Sequence, residues 1–128
     1  MTDTAKTIAG ELHLAGLASI DLGEFKPKPT TLTAGQVEAS RVLWKSPDGS
    51  VSIGVWECTP GAFTATRDGY SEVAHIISGR CTLTTAAGES SEHGPGDLVV
   101  TNESWSGQWN VHETVRKLFI IHRPASRG

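Results

Sequence analysis

The sequence predicts an all-β sandwich or barrel, and three observations carry that reading. Apolar and polar residues alternate with a period of two in the segment Ser50 to Cys58. From residue 41 onward, turn signals recur about every 8–12 residues. No stretch shows the 3.6-residue period of an amphipathic helix. A glycine count of 14 in 128 residues, against an average near 7%, fits a chain with many tight turns.

Residues 1–40 read as an N-terminal extended arm. Leu12, Leu14, Leu17, Ile20 and Leu22 are scattered without period, and Phe25-Lys26-Pro27-Lys28-Pro29-Thr30 follows them. Two prolines at this spacing stop a helix and favour an extended path along a sheet edge or a neighbouring subunit. Residues 41–128 form the barrel domain. Arg41–Ser46 is a strand that runs into the turn Pro47-Asp48-Gly49, where proline presets φ and glycine accepts positive φ. In Ser50–Cys58, Val51, Ile53 and Val55 share one face. Thr59-Pro60-Gly61 and Asp68-Gly69 are turns, Glu72–Ser78 is a strand, Gly79-Arg80 a tight turn, and Cys81–Ala86 the returning strand. His93-Gly94-Pro95-Gly96 opens Asp97–Thr101, followed by Trp105–Val111 and Thr114–His122, giving up to nine short strands.

The length suits one domain. Lys plus Arg is 11 and Asp plus Glu is 14, a net charge of −3, which argues against a nucleic-acid surface. No run reaches the roughly 18 apolar residues of a spanning helix, and the first twenty residues do not read as a signal peptide, so no membrane partner is expected. Cys58 and Cys81 form no C-x-x-C, and a chain with two such cysteines fits a reducing cytoplasm, with both thiols acting as small buried hydrophobes.

Two segments carry a family resemblance. Pro60-Gly61-Ala62-Phe63 through Glu72-Val73-Ala74-His75-Ile76-Ile77-Ser78-Gly79 resembles the first motif of the cupins, and Gly94-Pro95-Gly96-Asp97-Leu98-Val99-Val100 through Trp105-Ser106-Gly107-Gln108-Trp109 resembles the second. With Trp44-Lys45-Ser46-Pro47-Asp48-Gly49 and Val115-Arg116-Lys117, the likeness is to the branch of ureidoglycine aminohydrolase-type and ethanolamine-utilisation cupins, over residues 25–123. It implies a double-stranded β-helix, the cupin jelly-roll barrel, and a homodimer. It also implies a metal site of three histidines and a glutamate. Aligned on Glu72, however, Ala65, Arg67 and Gly107 stand at the histidine positions. A divalent metal needs three or four converging N, O or S ligands, so no cofactor is expected, and a divalent metal is the minority reading.

Strand parity builds a different candidate site. Glu72 faces the barrel interior by the resemblance, with Ala74 and Ile76 on its face and His75 on the opposite one. In the last strand Lys117 shares its face with Val115, Phe119 and Ile121, and a buried lysine demands a partner. Glu72 and Lys117 are therefore expected to meet as the catalytic pair. Arg67, Tyr70, Trp105 and Trp109 are expected ligand-binding residues, with two indoles lining a cavity that Gly107 opens. Trp44 and Trp56 are assigned to core or interface. The resulting expectation is a cupin that binds, with or without transforming, a small polar nitrogen-containing metabolite. The alternatives are a metal-free sensory cupin without catalysis and a structural accessory subunit with a filled barrel.

Overall fold

The computed structural model of the chain describes residues 5–8 and 10–124, so the outermost residues of the arm (1–40) and of the barrel domain (41–128) lie outside it. Ten strands account for the regular structure: β1 (Ala5–Ile8), β2 (Glu11–Leu14), β3 (Lys26–Pro27), β4 (Val37–Lys45), β5 (Val51–Cys58), β6 (Gly61–Thr66), β7 (Ser71–Thr85), β8 (Ser90–His93), β9 (Leu98–Thr101) and β10 (Ser106–His122). All pairings are antiparallel.

Two long strands organise the barrel. The first half of β7 and the second half of β10 pair with each other, with β9 and β5 outside them and then β4 and β3. The other halves of β7 and β10 also pair, flanked by β8 and β6. Each long strand thus belongs to both walls of the jelly roll and closes the sheet on itself, which reduces exposed edges. The two walls meet in one core. Trp56, Cys58, Ala74, Ile76, Val115 and Phe119 from one side pack against Phe63, Cys81, Leu83, Trp109 and Val111 from the other. Both free cysteines are buried there. Desolvation pushes each thiol up to about 11, which keeps it protonated and inert.

Gly79-Arg80 is not the tight turn expected between two strands. β7 runs through it without reversing, because β10 flanks it on both sides of the bend. Gly79 has φ +86° and a Cβ there would overlap the carbonyl of Thr114, so the position serves as a kink between the two walls. The matching irregularity in β10 lies between Val111 and Lys117, so Trp105–Val111 and Thr114–His122 also fuse into one bent strand. Strands β6 and β8, rich in Ala, Thr and Ser, carry too little apolar alternation to announce themselves.

Within the arm region, β1 and β2 form a separate hairpin, and Lys26–Pro27 and Val37–Ser40 pair into the barrel sheet. Between them the chain is clipped to the outside of the barrel by Arg116. Its guanidinium donates to the carbonyl of Leu17 at 2.9 Å and of Ile20 at 2.6 Å while pairing with Glu57 at 3.2 Å, and Ile20 is buried beneath. Among the described residues, no helix is long and apolar enough to cross a membrane.

The Gly79 kink yields a direct expectation. Gly79→Ala combines positive-φ strain with backbone overlap and should cost about 2–4 kcal/mol. Chemical denaturation should show a lower midpoint at unchanged slope.

Candidate functional site

A cavity of about 370 Å³ opens between the two walls of the barrel. Its floor is built by three elements. Alternation along β10 turns Lys117 inward beside Phe119 and Ile121, alternation along β7 turns Glu72 inward, and the loop after β6 folds Arg67 under the barrel mouth. The Arg67 loop is held by its backbone, which donates to Trp105 O at 2.8 Å and accepts from Ser104 N at 2.8 Å.

The three charged groups converge on one atom. Lys117 Nζ donates to Glu72 Oε1 at 2.9 Å, and Arg67 Nη2 donates to the same oxygen at 3.1 Å. Arg67 Nε also donates to Thr101 Oγ1 at 2.8 Å and Nη1 to Thr66 O at 3.3 Å. Residue exposures of 6–7% place all three charges in a low-dielectric setting. Burial pushes the Glu72 carboxyl up, but Lys117 and then Arg67 outweigh it and hold the group below the usual carboxylate range. Burial draws the Lys117 ammonium down, Glu72 restores part of the loss, and Arg67 and Lys28 draw it down further.

Aromatic rings wall the floor. Lys117 Nζ lies 4.4 Å from the ring centroids of both Trp56 and Trp109, a cation–π arrangement that offsets part of the desolvation. Trp56 stands edge-on to Trp109 and Phe63, and Phe63 stacks on Trp109, with centroids 5.8–5.9 Å apart. The Trp109 indole N–H is buried and has no acceptor among the described residues, because its ring turns a face toward the ammonium and its edge into the core. A second charge pair sits nearer the mouth. Glu38 Oε1 accepts from Lys28 Nζ and from Trp56 Nε1, each at 2.8 Å, and Lys28 Nζ lies 4.4 Å from the Phe63 ring.

Glu72, Lys117, Arg67, Tyr70 and Trp109 thus share one cavity. Tyr70 donates its hydroxyl to Thr66 O at 3.1 Å and packs beside Arg67 and Arg123. Trp105 does not line it. The residue precedes β10 rather than alternating within it, and its ring folds behind Arg67, whose guanidinium carbon lies 5.7 Å from the ring centroid, toward a shallower depression. Gly107 opens no space either: a Cβ there would overlap the carbonyl of Thr84 and come within 2.9 Å of the Trp105 ring. Lys28, Trp56 and Phe63 line the cavity unforeseen. Trp56, assigned from the sequence to core or interface, lines the cavity because the β5–β10 register sets it directly opposite Lys117, a pairing that only the fold reveals. Lys28 had no readable signal, lying in a proline-rich segment outside any periodic pattern.

These residues do not fit a divalent metal. The histidine positions of the motifs hold Ala65, Arg67 and Gly107, and Glu72, the one remaining donor, is flanked by an ammonium and a guanidinium that repel a cation. No three His, Cys, Asp or Glu side chains converge among the described residues.

The shared carboxylate predicts unequal mutational costs. Glu72→Gln leaves two buried cations without a counter-charge and should destabilise by about 3–5 kcal/mol, whereas Lys117→Met leaves the Arg67–Glu72 pair intact and should cost less than about 1.5 kcal/mol. Because the folded Glu72 titrates lower than the unfolded one, its contribution is present above about pH 4.3 and lost as pH falls through the folded value. Denaturation at a series of acidic pH values should show this loss in the parent and a flatter profile in Glu72→Gln.

Comparison with known proteins agrees with the barrel and with one of the two branches that the motifs resemble. The sequence profile of the EutQ-like cupin domain matches residues 45–119. The solved structure of the Clostridium difficile EutQ protein superposes with a TM-score of 0.72 at 19% identity, over 92% of this chain and 91% of that one. A putative ethanolamine utilization protein Q from Salmonella typhimurium gives 0.74 at 19% identity, over 95% and 94%. Ectoine synthase from P. lautus gives 0.63 at 18% identity, over 78% and 70%. No curated protein sequence matches significantly. At these identities the structures speak for the fold alone, while the profile covers more than half of the sequence: the chain belongs to the EutQ-like cupin domain family.

Proposed function

We propose that this cupin binds a small polar metabolite in its barrel cavity, without a metal, and that Lys117, Glu72 and Arg67 form the recognition floor. The observation that carries the reading is the Lys117 ammonium, bonded to Glu72 at 2.9 Å and set between two indole faces at the base of an open cavity. A barrel serving only as structure has no need for three buried charges, since well-packed apolar residues of similar volume would do as well or better. The volume lies at the small end of ligand sites, roughly 300–1,000 Å³. For the nitrogen-containing class implied by the motifs, Glu72 and the hydroxyl-bearing residues Thr30, Ser40, Thr64, Thr66 and Tyr70 line the cavity. Glu72 and Lys117 supply the proton acceptor and donor for any chemistry carried out there.

The fold also supports a homodimer. On the outer face of the larger wall Trp44, Ile53, Ile120, Val73 and Val100 stand in register across five strands, with Leu98 and Val100 exposed. An apolar row of uniform chemistry is self-complementary about a twofold axis.

A thermal-shift screen with amino acids, ureides and small carboxylates tests the binding reading. A ligand at 100 times its Kd should add about 2.7 kcal/mol of stability, and Lys117→Ala should abolish the shift. No shift with any compound, or a shift that survives the substitution, counts against the site. Leu98→Glu combined with Val100→Glu should convert a dimer into a monomer by light scattering, and an unchanged mass would remove this interface.

A further inference from the structure

The cavity floor carries more buried positive charge than its own acid can balance. Arg67 and Lys117 share a single carboxylate, and they share the same oxygen of it. Other acids do not close the gap. Glu38 is engaged by Lys28 and Trp56 at the mouth, and the nearby thiols of Cys58 and Cys81 stay protonated. Hydrogen bonding has the same asymmetry. Of the eight N–H donors of the Lys117 ammonium and the Arg67 guanidinium, four are spent on acceptors among the described residues and four remain. A buried cation without a counter-ion is penalised by several kcal/mol, and charge-assisted bonds to an entering anion relieve that penalty.

We infer that the ligand is an organic monoanion whose carboxylate is taken by the free N–H groups of Lys117 and Arg67, with a flat apolar body lying against Trp56 and Phe119. This inference rests on the binding reading above and narrows it to one charge and one shape. The apolar half follows from the walls: Trp56, Phe63, Trp109, Phe119 and Ile121 surround the floor, so a guest charged along its whole length would strand part of its charge against hydrocarbon. A cationic guest is disfavoured twice, by Lys28, Arg67 and Lys117, and because an ammonium already occupies one face of Trp56 and one face of Trp109. An added carboxylate also offsets the cations that draw the Lys117 ammonium down.

Three probes of matched size and different charge decide the matter: benzoate, benzamide and benzylammonium, titrated by calorimetry into the full chain. Benzoate should bind at least about tenfold more tightly than either of the others, the scale of one charge-assisted contact. Lys117→Met should weaken benzoate by about tenfold and leave benzamide unchanged. Glu72→Gln, where it folds, should strengthen benzoate, because it removes the competing carboxylate; a catalytic or structural role for Glu72 alone would not produce this gain. If benzamide or benzylammonium binds as well as benzoate, the cavity takes ligands but not for their charge, and the inference falls while the binding reading stands. If none of the three binds, the inference falls, and the binding reading is decided separately by the screen of amino acids, ureides and small carboxylates. If chloride or phosphate displaces benzoate and binds as tightly alone, the floor is a simple inorganic anion site and the organic body assigned here is wrong.

Discussion

One carboxylate oxygen between two cations is the constraint around which the interior is arranged. Glu72 Oε1 accepts from Lys117 and Arg67 together, and neither cation has another acidic partner among the described residues. Everything near the floor answers to that convergence. β7 and β10 must run side by side with a register that sets Glu72 and Lys117 within reach, the loop after β6 must fold Arg67 inward, and Trp56 and Trp109 must turn ring faces rather than edges to the ammonium. The unpartnered indole N–H of Trp109 is a cost of that choice, of the order of 1–3 kcal/mol.

The cupin barrel makes the convergence feasible because its two longest strands serve both walls. Kinks at Gly79 and between Val111 and Lys117 let each strand pass from one wall to the other, so residues far apart along a strand still face the same enclosed volume. Arg116 and Lys117 lie side by side at the end of the β10 irregularity. Arg116 turns outward to hold the arm through Leu17 and Ile20, and Lys117 turns inward to Glu72. The arm and the cavity floor therefore hang from one segment of backbone.

Much of this was legible in the sequence, and the misses share a cause. The family resemblance turned Glu72 inward, and strand parity set Lys117 on an otherwise apolar face, because alternation is geometry that a sequence displays directly. Parity failed for Trp105, because the chain leaves β-geometry just before Ser106 and alternation cannot be carried across a turn, and for Gly107, because the direction of its missing side chain is filled by the Thr84 carbonyl and the Trp105 ring. It also could not tell a kink from a reversal at Gly79-Arg80, since positive φ serves both and only the neighbouring strand decides. Arg67 was expected among the ligand-binding residues and lines the cavity, but its burial depends on Thr101 and Glu72, which no local pattern beside the Asp68-Gly69 turn reveals. The cation excess was invisible for the same reason, because it is a sum over elements distant in sequence.

The tryptophans at the floor have a practical consequence. Two of the four in the chain, Trp56 and Trp109, hold the Lys117 ammonium against their ring faces. Indole emission responds to charge at its face, so the intrinsic fluorescence of the unmodified protein is weighted toward events at the base of the barrel. The molecule carries its own optical gauge of what enters there, with no label to disturb the fit.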